Sequence, residues 1–430
     1  MEEGVRRVLA VLVCLTAAAA LGQEESASRV AQFEKAFPRV AKNAAAEDLE
    51  ALGRALGFDP GGAAAEGRPA NEDRDALLNC GHSTWLDAQL STSDDSILPP
   101  PTRFVAFLES REAALWHVVR LLEKDTPEWE FDLHKKRDSF PELLFVAQLN
   151  RLLLSTALLE EQAGRHAEAA DLLEASWSLA RSAARRPELI YQLIALASLR
   201  SLSGALRKMA EPRPEWSDRM SSHEPVQGIL NSLRADSLIS FSRNGSLAEH
   251  SFDSFWVRSE RLFAEKMKDL SVCEISTMSS EAIWQPVIEE LRRSANEEES
   301  AELQVIGENF APSLTNALQR AARLVIESEL TARIVDLRLQ KAASRPSRWP
   351  ENLYDTDSRA CPGAEYEYRS FGGAMAIRFK GSVGKLDVPR LLPLSFEARA
   401  PKPSPTAIPT RGASPTPTPS PSLTPLKAGA

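Results

Sequence analysis

Residues 139–190 carry the strongest structural pattern in the chain and read SFPELLFVAQLNRLLLSTALLEEQAGRHAEAADLLEASWSLARSAARRPELI. In the first half, apolar residues surround the helix axis almost completely, which is typical of a helix buried at the centre of a domain. In the second half they keep to one face, as in a helix that packs on a neighbour. Gly164 separates the two halves. The pattern therefore predicts two helices joined by a tight turn.

Signals at the ends of these helices predict their boundaries. Ser139 and Glu142 have the spacing of a capping box, and Pro141 lies in the first turn, where its missing N–H costs nothing. The first helix is expected to begin there and to end at Gln162. The second is expected over residues 167–184.

The same hairpin resembles one tetratricopeptide repeat. The residues that carry the likeness follow the spacing L-x3-A-x6-G-x4-A-x3-L and are Leu153, Ala157, Gly164, Ala169 and Leu173. In that family the small residues let two antiparallel helices approach closely, and the glycine makes the turn. The likeness covers one repeat period of about 34 residues. It departs from the family at Glu160 and Arg181, where an aromatic residue and a proline are expected. The resemblance implies a single repeat-like hairpin inside a larger helical domain.

Helical spacing extends over most of the chain. Residues 23–58 are expected to form amphipathic helices, and residues 59–100, with their glycine, alanine and proline, a linker. Residues 101–343 are expected to form the helical domain. A third helix is predicted within it over residues 188–209, and a long helix ends it at residue 343. The predicted fold class is mainly α.

The apolar period changes to two within residues 344–399, which predicts a small module with β structure. Gly372-Gly373 forms a two-residue turn between two alternating runs. Folding about this turn places Tyr366 opposite Phe379 on one apolar face. A hairpin alone is marginal in water, so this face is expected to pack on the long helix.

The segments on both sides of the hairpin add two expectations. The long helix, the Trp349-Pro350 step and the hairpin together resemble a C-terminal segment common in uncharacterised exported bacterial proteins, and more distantly the region after the long helix of secretion pseudopilins. In pseudopilins the long helix lies at the N-terminus and serves as the assembly stem. In this chain the long helix lies elsewhere and ends at residue 343. Residues 400–430 are rich in proline, serine and threonine, and are expected to form a disordered tail.

The first 22 residues have the pattern of a signal peptide. Arg6 and Arg7 precede the apolar run VLAVLVCLTAAAAL, and cleavage is expected before Gln23. This run is shorter than the about 20 residues needed to span a bilayer. We therefore expect an exported protein, periplasmic or extracellular, with no membrane span after signal cleavage.

Cleavage would leave three cysteines, Cys80, Cys273 and Cys361. An odd number in an oxidising compartment predicts one disulfide and one free thiol. The spacing leaves all three pairings open.

Composition restricts the class of partner. The chain of 430 residues has 51 Lys and Arg against 60 Asp and Glu, a formal net charge of −9, which argues against nucleic acid as a partner. Hydrophobic residues at 43% and charged residues at 26% are ordinary for a globular protein and exclude a wholly disordered chain or a polytopic membrane protein.

The sequence offers few candidates for chemistry. The histidines form no pair at helical metal-binding spacing and the cysteines no C-x-x-C, so no catalytic, metal or cofactor site is expected. The polar positions that stand out are Asn150 and Arg151, within the apolar first helix. Arg151 is either the anion-binding floor of a groove between helices or a structural residue paired with a carboxylate such as Glu174. We favour the structural interpretation, because buried polar groups more often join helices than bind ligands.

Export, the helical hairpin, the acidic charge and the lack of a catalytic motif favour an interaction or scaffold protein of the cell envelope without catalytic activity. The expected partner is another envelope protein. The alternative is an envelope hydrolase whose site is assembled from dispersed acidic residues.

Overall fold

A computed structural model describes residues 31–58, 72–132, 141–243, 249–293, 311–384 and 391–399. Within them the protein is mostly helical and has a three-stranded antiparallel sheet near its C-terminal end, so the predicted fold class is confirmed. The signal peptide, the tail over residues 400–430 and the predicted cap residue Ser139 lie outside the described residues.

Helices account for most of the described residues. In chain order they are α1 (Ala44–Ala55), α2 (Glu72–Asn79), α3 (His82–Leu90), α4 (Thr102–Lys124), α5 (Pro141–Gln162), α6 (His166–Ala184), α7 (Leu189–Leu206), α8 (Glu215–Ser221), α9 (Pro225–Arg243), α10 (Glu249–Lys268), α11 (Val272–Thr277), α12 (Ser280–Arg292) and α13 (Ala311–Ala343). The strands are β1 (Glu365–Phe371), β2 (Ala374–Lys380) and β3 (Ser395–Ala398). A short helical stretch at residues 31–36 precedes α1.

Helices α5, α6 and α7 pack on one another at the centre of the molecule. The boundaries of α5 agree with the prediction, and α6 begins one residue earlier than expected. Between them Gly164 has φ +75°, a left-handed conformation that favours glycine. Ala157 and Ala169 are fully buried, which lets the two helices approach closely.

The long helix α13 takes part in two apolar cores. Its first half contributes Leu314 and Leu318 to the main core, which also contains the α5–α7 layer. Its second half contributes Ile326, Leu330 and Ile334 to a smaller core beneath the sheet. The helix therefore connects the helical domain to the β module.

Strand β2 lies at the centre of the sheet, between β1 and β3. The predicted hairpin register is confirmed, with Tyr366 opposite Phe379 and Tyr368 opposite Ile377. The buried side chains of this face pack on α13, as expected. The third strand was not predicted, because its four residues are too few for a periodic pattern to be visible in the sequence.

The region expected as a linker contains two helices, α2 and α3, from residue 72 onward. Trp85 and Leu86 of α3 are buried in the main core. The indole Nε1 of Trp85 donates to the carbonyl oxygens of Leu98 (3.2 Å) and Pro99 (3.0 Å). Contacts with the following loop and the core thus stabilise helices whose local sequence has no clear period. Residues 59–71 lie outside the described part of the chain.

Of the three cysteines in the described residues, two form a disulfide and one is a free thiol, as the odd number predicted. Cys273 of α11 is bonded to Cys361 in the loop before β1, across 88 residues of sequence. Cys80 is free and buried.

Helix α7 is long and apolar enough to span a membrane by length and composition. In this structure 72% of it is buried inside the protein, where it packs on α5, α6 and α13. Core helices of globular proteins meet the same criteria.

Candidate functional site

Asn150 joins the three central helices. Its side chain is 1% exposed, and its Oδ1 accepts a hydrogen bond from Ser176 Oγ of α6 at 2.7 Å. Its Nδ2 donates to the Ser198 carbonyl of α7 at 3.5 Å. The amide thus provides hydrogen-bond partners for the Ser176 hydroxyl and the Ser198 carbonyl inside an apolar layer.

Arg151 joins α5 to α3. Its Nη2 donates to Asp87 Oδ1 and to the Ser83 carbonyl oxygen, both at 2.7 Å, and its Nε donates to Ser83 Oγ at 3.2 Å. The expected pairing with a carboxylate is present, and the partner is Asp87, whereas Glu174 was the example that the sequence suggested. Glu174 lies on α6 and instead accepts from Arg219 at 2.6 Å. Because Asp87 belongs to a region whose sequence predicts a linker, this pairing could not be identified from the sequence.

Cys80 and His82 lie beside this ion pair, with Cys80 Sγ 3.2 Å from His82 Nδ1. Burial raises the pKa of the Cys80 thiol, and the thiol donates to the Leu77 carbonyl at 3.1 Å. Burial, followed by the positive charge of Arg151, lowers the pKa of His82 to about 4. A nucleophilic cysteine needs the thiolate and an electropositive, accessible setting. The Cys80 thiol is buried and protonated, which is typical of a structural cysteine.

A cluster that we call the arginine centre consists of Glu327 with Arg200, Arg207 and Arg323, and of Arg338, which binds the Arg207 carbonyl. The carboxylate of Glu327 is fully buried. It accepts hydrogen bonds from Arg200 Nε at 2.7 Å, from Arg323 Nε at 3.0 Å and from the Leu392 N–H at 3.1 Å. One carboxylate therefore connects α7, α13 and the segment that leads into β3.

Arg207 and Arg338 bind backbone oxygens within the same centre. Arg207 donates to the carbonyl oxygens of Pro393 (2.6 Å) and Glu327 (2.7 Å). Arg338 donates to the Arg207 carbonyl at 2.7 Å, at the C-terminal end of α7, where the helix dipole favours a cation. Burial lowers the pKa of both guanidinium groups to about 10, so they stay charged at neutral pH. The arginine centre fixes the β module to the helical domain.

An open cleft of about 420 Å³ lies beside α6 and α8 at the C-terminal end of α4. We call it the charged cleft. Trp177, partly buried, contributes to its lining and packs edge-on against buried Trp216, with ring centroids 5.9 Å apart. The charged residues of the lining are Glu123, Asp171, Glu174, Arg181, Arg185, Arg213, Glu215 and Arg219.

Ion pairs hold two of the cleft arginines in place. Arg213 binds Asp171 at 2.8 Å and lies 3.7 Å from Glu174, which in turn binds Arg219 at 2.6 Å. The guanidinium groups of Arg219 and Arg181 lie 5.9 Å from the Trp177 ring centroid. Arg181 is exposed and forms no ion pair with the described residues. The cleft thus presents a tryptophan beside paired guanidinium groups and the guanidinium group of Arg181, which is unpaired within the described part of the chain.

The charged cleft was not predicted from the sequence, although the sequence of α6 contains the pattern of one of its walls. Asp171, Glu174, Trp177 and Arg181 recur every three or four residues and form one polar stripe of α6. Such a stripe is typical of an ordinary solvated helix face, and only the position of α8 next to it makes a cleft.

Within the described residues, no group of three or more His, Cys, Asp and Glu side chains could hold a metal ion. Comparisons of the chain with protein-family models, curated proteins and solved structures found no match.

Proposed function

We propose that the chain is exported and acts in the cell envelope, in the periplasm or outside the cell, as an interaction or scaffold protein without catalytic activity. Its partner is another envelope protein. The signal-peptide pattern of the first 22 residues supports this location. The disulfide between Cys273 and Cys361 supports it as well, because such bonds persist in oxidising compartments.

The observation that carries the proposal is the charged cleft. Tryptophan and arginine are the residue types on which binding energy concentrates at protein interfaces. A mostly charged, open lining differs from a small-molecule pocket, which is predominantly apolar. The ion pairs of Arg213 and Arg219 keep both side chains ordered before a partner arrives, which lowers the entropic cost of binding.

Two of the buried carboxylates, those of Glu327 and Glu329, do not support the alternative of a hydrolase. Glu327 is occupied by two arginines and a backbone amide. Glu329 accepts hydrogen bonds from Ser358 Oγ at 2.7 Å and from the Arg359 N–H at 2.8 Å. Both carboxylates are bound by groups of the fold itself, which is typical of a structural role.

Affinity capture from envelope extract, with the exported chain as bait, tests the proposal. Arg181→Glu reverses the free charge in the cleft, and Arg103→Glu, at an exposed arginine of α4 outside the cleft, is the matched control. We expect one stoichiometric partner with the wild-type and Arg103→Glu chains, and at least a tenfold loss with Arg181→Glu. Equal capture by both variants would contradict a role for the cleft, and the absence of a saturable partner would contradict the function.

A further inference from the structure

A hollow of about 780 Å³ lies against the sheet, and its lining includes outward-facing residues of all three strands together with Arg323 of α13. Strand alternation places Glu367 and Arg369 of β1, and Ala376 and Arg378 of β2, on the outward face. The small side chain of Ala376, directly opposite Arg369, leaves space between the longer side chains. We call this surface the sheet hollow.

The sheet hollow is more basic than the protein as a whole. Its lining includes four basic residues, Arg323, Arg369, Arg378 and Lys380, and two acidic ones, Glu367 and Glu397. Arg323 is already paired with Glu327 in the arginine centre, which leaves three basic residues against the two acidic ones. The complete chain has a formal net charge of −9. A local excess of positive charge on an acidic protein indicates an anionic ligand or partner at this surface.

Competition for one carboxylate leaves Arg378 without a counter-charge. Glu367 lies directly opposite Arg378 in the register, a position in which the two side chains would normally pair. The carboxylate instead binds Lys380 Nζ at 2.8 Å and Arg369. These two hydrogen bonds hold the pKa of Glu367 below its usual value. Arg378 is exposed and forms no ion pair with any described residue.

We propose that the sheet hollow binds an acidic segment of a partner protein in an extended conformation, with carboxylates at alternate positions. A guanidinium group matches a carboxylate with two parallel hydrogen bonds. Arg369 and Arg378 are diagonal neighbours across β1 and β2, about 7–8 Å apart at this register. Alternate residues of an extended peptide are about 7 Å apart and project to the same side, so two acidic side chains reach both arginines.

The acidic residues of the lining favour a peptide over an anionic membrane. Glu367 and Glu397 lie on the same face and repel a uniformly negative surface. A peptide places its carboxylates only at the arginines, and its backbone passes over Ala376. The sheet hollow shares no lining residue with the charged cleft, so this inference does not depend on the cleft.

The test is binding of a labelled synthetic peptide of alternating glutamate and alanine to the folded exported chain, followed by fluorescence anisotropy. Arg378→Gln should weaken binding at least tenfold. The control is Arg359→Gln, whose side chain is 80% exposed in the same module but outside the hollow, and it should change binding less than twofold. The same peptide with glutamine in place of glutamate should also bind at least tenfold more weakly. Arg181→Glu should leave the affinity unchanged, which separates this test from that of the charged cleft.

Equal affinity of the Arg378→Gln and Arg359→Gln chains would overturn the proposal, as would failure of the acidic peptide to bind the wild-type chain. Binding to vesicles of anionic phospholipid that depends on Arg378, without binding to the peptide, would identify a membrane as the ligand and would also overturn it.

Discussion

Replacing Glu327 with glutamine should lower the free energy of unfolding by about 3–5 kcal/mol, the usual cost of removing one partner from a buried ion pair. The carboxylate is fully buried and binds Arg200, Arg323 and the Leu392 N–H. Glutamine keeps the shape of the side chain but removes its charge. The NH2 group of its amide also faces an arginine or the Leu392 N–H. These groups are hydrogen-bond donors themselves, so one donor is left without an acceptor. Two guanidinium groups, no more than 12% exposed, then lack a counter-charge.

Glu290→Gln provides the matched control. Glu290 binds Arg293 at 2.9 Å, but the two side chains are 50% and 71% exposed. Removal of such a surface pair should cost no more than about 1 kcal/mol. Urea denaturation followed by circular dichroism and tryptophan fluorescence compares the two variants. If Glu327→Gln were no less stable than Glu290→Gln, the arginine centre would not hold the β module in place and the reasoning would be refuted.

Three further predictions concern the helical hairpin, the buried histidine and export. Ala169→Leu should cost about 1–3 kcal/mol by overpacking the contact between α5 and α6, whereas Glu168→Leu should cost less than about 0.5 kcal/mol; equal losses in urea denaturation would show that the hairpin register is wrong. The pKa of His82 is held at about 4, against 6.5 in the unfolded chain. As the pH drops, the unfolded state therefore takes up a proton before the folded state does, and the free energy of unfolding should fall between pH 6.5 and pH 4. The fall should be smaller in His82→Gln. The same pH dependence in that variant and in the wild-type chain would contradict the assignment to His82. The abundant form of the protein should begin at or within a few residues of Gln23, and N-terminal sequencing that finds intact Met1 would disprove export.

Features set by local chemistry could be predicted from the sequence. Pro141 and Gly164 mark the start of α5 and the turn after it, because a proline at a helix start and a glycine at positive φ need no distant partner. The Gly372-Gly373 turn determines the strand register in the same way.

Features that depend on distant contacts could not be predicted. Helix α3 is stabilised by contacts of Trp85 with Leu98 and Pro99 and with the core, and its own sequence has no periodic face. Arg207 and Arg338 have the local sequence of surface positions on helices. They are buried because acceptors more than 100 residues away in the sequence surround them, such as the Arg207 carbonyl for Arg338. The charged cleft likewise exists only where α8 meets α6.

The most direct test of the central claim, that the charged cleft binds an envelope partner, is site-specific photo-crosslinking in living cells. A photoreactive residue at Ser178 lies in the cleft lining, and one at exposed Ser110 of α4 lies outside it. The account predicts one adduct of defined mass from position 178, none of that mass from position 110, and its loss in the Arg181→Glu background. The same adducts from both positions, or no adduct from position 178, would contradict it.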